Sequence, residues 1–132
     1  MALTYKREAL AYATQLGMVA CRWPAFKDYA LAIFKATGIA CPQSPASIIG
    51  EAMVYLNCDD DPEEAVNFLK KNNISGSSGP SVCRAFLGLC LYIAKRSSES
   101  QQVLKALVAE SNDSNTDAID LANKLLEQLE GK

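Results

Sequence analysis

Five cysteines, a six-residue acidic run and the absence of histidine bound the chemistry open to this 132-residue chain. Cys21, Cys41, Cys58, Cys83 and Cys90 are odd in number, widely spaced and contain no CxxC pair. A disulfide framework or a tetrahedral zinc site would use paired spacings, so the cysteines read as reduced, mostly buried small hydrophobes. Cys83 is the candidate for a reactive thiol, because it falls in the first turn of a predicted helix, where a thiolate is favoured. The acids Asp59-Asp60-Asp61-Pro62-Glu63-Glu64 are contiguous and include a proline. Calcium loops instead spread their oxygens over about twelve residues around a glycine. Helix capping is the better account: Asp61 at the cap, Pro62 at the first position and Glu64 reaching back. No metal or cofactor is expected.

Histidine is the usual general acid-base near neutral pH and the partner of nucleophilic serine or cysteine. Its absence removes those systems together with His-ligated zinc and haem. Ser75-Gly-Ser-Ser-Gly79 precedes a helix but lacks the lysine and preceding strand of a phosphate loop. No catalytic residue is identified, and the chain reads as non-enzymatic. Asn73-Ile74-Ser75 and Asn112-Asp113-Ser114 match the glycosylation sequon as chance occurrences.

Any function must therefore rest on surfaces, which the helices have to present. Pro45, Pro62 and Pro80 stand where helices begin, the first two after Ser44 and Asp61. Apolar periodicity predicts a helix over 4–16 with Ala9, Leu10, Ala13 and Leu16 on one face, closed by Gly17. A second, from Pro24 to Gly38, has Phe26, Tyr29, Ala30 and Ile33 as its core stripe. A third carries Ile48, Ile49, Ala52, Met53 and Leu56, and a fourth Val66, Phe68 and Leu69. Residues 82–94 are apolar on all faces, marking a helix inside a bundle, and Gly88 lets a neighbour approach. Ser98 and Gln101 read as a capping box for a sixth helix with Val103, Leu104, Leu107 and Val108. A seventh begins after Asn115 or Thr116. The predicted fold is all-α: a compact irregular bundle of about six to seven short helices with its central helix near 80–96. One domain spanning 1–132 is expected, with 74–79 as an internal loop or, alternatively, a hinge.

The N-terminus enters an amphipathic segment directly, with no signal-peptide pattern, and the 82–94 stretch is short of the about 20 residues of a membrane span. A cytoplasmic protein with no membrane partner is expected. Net charge is −2, which speaks against a general polyanion binder. Locally the charge alternates: residues 1–37, 38–66, 67–105 and 106–132 carry +3, −6, +5 and −4. Such blocks suit assembly with copies of the same chain, and they also suit helix dipoles.

These features point to a protein–protein interaction module, an adaptor or a subunit of a larger assembly. Its partner would be another protein or copies of itself. The candidate docking stripe is Ile119, Ala122, Leu126 and Leu129 on the last helix, flanked by Asp117, Asp120 and Glu127. The alternative is a nucleic-acid-binding or packaging role in which Lys70, Lys71, Arg84, Lys95, Arg96 and Lys105 line a phosphate track. Arg22-Trp23 and Phe26-Lys27 would add rings for base stacking.

Overall fold

The computed structural model describes residues 2–42, 44–110 and 116–130. They form seven α-helices, α1 (Ala2–Ala20), α2 (Lys27–Ala40), α3 (Pro45–Asn57), α4 (Pro62–Lys71), α5 (Ser81–Ile93), α6 (Ser97–Ala109) and α7 (Thr116–Glu130). A 3-10 turn, Pro24–Phe26, leads into α2, and there is no strand among the described residues. The protein is an all-α helical bundle. It divides into two compact units, Met1–Asp61 and Pro62–Lys132.

In the first unit α1, α2 and α3 pack on one another. Ser44 caps α3, its hydroxyl accepting from the Ala46 amide at 3.3 Å, with Pro45 in the first helical position. The centre is Phe34, 1% exposed, with Cys21, Ala30 and Val54 fully buried around it. Its ring occupies a slot made by two glycines. A Cβ on Gly17 would stand 2.9 Å from the Phe34 Cζ, and one on Gly50 would fall inside the ring's contact distance. Gly17 therefore does not close α1; the helix continues three residues past it.

The facing of α1 and α2 differs from the periodicity reading. The inward residues are Gly17 and Cys21 from the first segment and Ala30, Phe34 and Thr37 from α2. Leu16, Phe26 and Tyr29, expected in the core, are 62%, 48% and 69% exposed. Small residues face inward because close helix approach around one large ring requires them, and interaxial distance follows the side chains at the contact.

In the second unit α5 is central, packing against α4, α6 and α7. Seven of its residues are buried: Cys83, Arg84, Ala85, Leu87, Gly88, Cys90 and Leu91. Gly88 admits α6: a Cβ there would collide with Leu104, and the Ser100 hydroxyl donates to the Gly88 carbonyl at 2.7 Å. The expected capping box at Ser98 does not form. Helix α6 starts two residues earlier, Arg96 stands at the cap without a side-chain cap bond, and Glu99 accepts from the Arg96 guanidinium at 2.8 Å. With Arg96 at the cap, Ser98 lies inside the first turn and cannot take the capping position.

Both α4 and α5 end in the Schellman arrangement without glycine. Asn73 (φ 67°) and Lys95 (φ 65°) take the left-handed position, and the Ile74 and Arg96 amides donate back to Leu69 and Leu91 carbonyls at 3.1 and 2.9 Å. The glycine-serine segment 74–79 lies within this second unit. Ile74 is buried, Ser75 donates to the Ser78 carbonyl at 2.9 Å, and Arg84 donates to the Gly76 carbonyl.

Candidate interaction surface

Two apolar ridges run along the outer side of the first unit. Tyr12, Leu16, Val19 and Trp23 recur at four, three and four residues along α1 and just past its end, which places them on one face. Phe26, Tyr29 and Ile33 repeat the pattern from the 3-10 turn into α2. The groove between the ridges has a volume of about 360 Å³ and is lined by Leu16, Val19, Ala20, Trp23, Phe26, Tyr29 and Ile33. Phe26 and Tyr29 stand with ring centroids 6.5 Å apart and planes tilted by 48°, within the favourable range for an aromatic pair. No lining side chain is charged. Continuous apolar surface of this kind is uncommon on a protein that works alone.

The residues expected at the phosphate track are mostly engaged within the second unit. Arg84 is 4% exposed, and its guanidinium pairs with both carboxylate oxygens of Glu110. Arg96 bridges Glu63 at 2.8 Å and Glu99 at 2.7 Å; Lys70 pairs with Glu99 at 3.4 Å and Lys105 with Glu130 at 3.7 Å. Among the described residues Lys71 and Lys95 are exposed and outside any ion pair. The Arg84 and Arg96 hydrogen bonds hold the Glu110 and Glu99 carboxyls below the usual range, and Glu99 in turn raises the Arg96 guanidinium.

The stripe expected for docking on α7 faces its own bundle. Ala122 is fully buried in the cluster of Ala85, Leu104, Leu107, Ala118 and Leu125, and Ile119, Leu126 and Leu129 are half-buried against that cluster.

Cys83 lies fully buried, and burial pushes its thiol up to about 11, which removes the thiolate character expected of it. Cys90 is pushed to about 12 by burial. Cys21 and Cys58 are also raised, chiefly by burial; Cys41 is the exposed cysteine. In the acidic run, Asp59 pairs with Lys27 at 2.8 Å and Asp60 adopts φ 51°. No three His, Cys, Asp or Glu side chains converge as metal ligands would among the described residues. No helix among them is long and apolar enough to cross a membrane.

The apolar face escaped the periodicity reading because its large side chains carry the stronger hydrophobic signal. The opposing small-residue stripe, Gly17-Cys21 and Ala30-Phe34-Thr37, was the signal that could have set the register. No family model, curated protein or solved structure matches the chain.

Proposed function

We propose that the protein is a non-enzymatic interaction module, an adaptor or assembly subunit, that binds protein through the apolar face of its first unit. The observation that supports this is the groove between α1 and α2, where Trp23, Phe26 and Tyr29 stay 48–69% exposed while Phe34 on the same helix as Tyr29 is buried. Exposed tryptophan and tyrosine are the side chains most enriched at binding hot spots. They bring large apolar area with only two rotatable bonds to fix.

The same rings would also serve base stacking, but the setting favours protein. Stacking platforms for single strands lie in a basic groove that follows the phosphates. Here the ridges alternate with aliphatic Leu16, Val19 and Ile33, and the nearby Lys27 is paired with Asp59.

A photo-reactive amino acid placed at position 29, compared with the same group at Lys71, tests the reading in the cells that make the protein. Protein adducts formed from position 29 and absent from position 71 are expected. Adducts to nucleic acid, or an identical protein pattern from both positions, would overturn it.

A further inference from the structure

The face that holds the groove has an area and a charged rim that together indicate its occupant. We infer that it is the same face of a second copy of this chain, the two meeting about a two-fold axis that runs along the groove. This inference rests on the reading of the face as a protein-binding surface and specifies its partner.

Area comes first. A fully exposed aromatic ring residue presents about 150–250 Å², so Tyr12, Trp23, Phe26 and Tyr29 at 69%, 50%, 48% and 69% exposure offer about 500 Å². Leu16 and Val19, at 62% and 52%, bring the face to about 700 Å², close to the roughly 800 Å² per partner of a standard stable interface. It also exceeds the roughly 300–600 Å² of the largest apolar patch on a typical monomer. Composition points the same way. Homodimer interfaces are more apolar than those of partners that come and go, and the groove lining carries no charged side chain. A second copy is made whenever the first is, so it can keep such a face covered throughout.

A two-fold axis along the groove lays the α1 ridge of one copy against the α2 ridge of the other. Such an interface closes on itself, each contact occurring twice. The rim fits this arrangement. Arg22 and Asp28 flank the turn that joins the ridges, both are exposed, and neither is in an ion pair among the described residues. With α1 facing α2, each copy's Arg22 comes to the side of the other's Asp28, so opposite charges meet.

Sedimentation equilibrium of the full chain decides the matter. At about 100 μM, well above a micromolar Kd, the wild type should weigh twice 14.3 kDa, and salt should weaken the dimer only slightly, by screening the rim charges. Val19→Glu and Tyr29→Glu should each weaken dimerisation by about thirtyfold or more. Ile39→Glu, at an 82% exposed apolar residue outside the groove, should leave the mass unchanged. Far-UV circular dichroism identifies any variant that has lost its helices; Tyr29→Ser then replaces it.

A wild-type monomer at that concentration would overturn the second copy as occupant. So would a dimer indifferent to both groove variants, or a mass that grows past two copies. A monomer that still forms protein adducts from position 29 would defeat this inference while leaving the interaction reading intact. The absence of adducts to any protein would defeat both.

Discussion

The two units of this chain place their large apolar and charged residues in opposite ways. In the second, Leu69, Leu87, Leu91, Leu104 and Leu107 are buried, and Lys70, Arg84, Arg96 and Lys105 pair with acids of the same unit. In the first, the core is one phenylalanine among small residues, and Leu16, Val19, Trp23, Phe26 and Tyr29 are left half-exposed or more. A unit that consumes its own apolar side chains has little left to offer a partner. One that centres its packing on a single ring can turn its remaining large side chains outward. The difference leaves exposed apolar side chains in the first unit, on which the proposed interaction rests, and self-contained packing in the second.

The sharpest way to break this comparison lies on α2. Phe34→Ala should cost about 3–5 kcal/mol, whereas Tyr29→Ala, five residues before it, should stay within about 0.5 kcal/mol of wild type. Urea unfolding of both changes in the Val19→Glu background, which removes the dimer's contribution to stability, checks this, and similar losses at the two positions would show that the outer ridge is part of the core.

In the second unit, Gly88→Ala should cost about 1–3 kcal/mol by overpacking, because the added methyl meets the buried Leu104. A neutral result would mean that α6 can withdraw. The same unit should also be sensitive to alkali. Cys83 and Cys90 are raised from an ordinary 9.0 to about 11 and about 12. The unfolded chain thus loses these protons first, and the stability they contribute is complete below pH 9 and lost as pH rises through their folded values. Denaturation measured across that window should show a shallower decline for Cys90→Ala than for wild type. The smallest effect is expected at Lys95, whose left-handed backbone suits glycine: Lys95→Gly should stabilise by about 0.5–1 kcal/mol in the same assay.

The contrast also explains how far the sequence could be read. Helices α3, α4 and α5 begin at or beside Pro45, Pro62 and Pro80, as those residues indicate, and the central position of α5 follows from its lack of a polar face. Facing was harder to read in the first unit. Periodicity weighs side chains by hydrophobicity, so Leu16, Phe26 and Tyr29 outweighed Gly17, Cys21 and Ala30. Glycine and alanine mark a core only once it is known that a bulky neighbour must fit against them. Pairing was equally hidden: Arg84 and Glu110 are 26 positions apart, and Arg96 and Glu63 are 33 apart.

Gly17, Phe34 and Gly50 share one volume, so none of the three can change size independently. In descendants or designed variants, a larger residue at 17 or 50 should be accompanied by a smaller one at 34. Phe34→Leu should therefore restore part of the stability that Gly50→Ala removes. A triplet so constrained drifts as a unit or not at all, and the outward ridges beside it inherit that constancy of backbone while their own side chains answer to whatever the face binds.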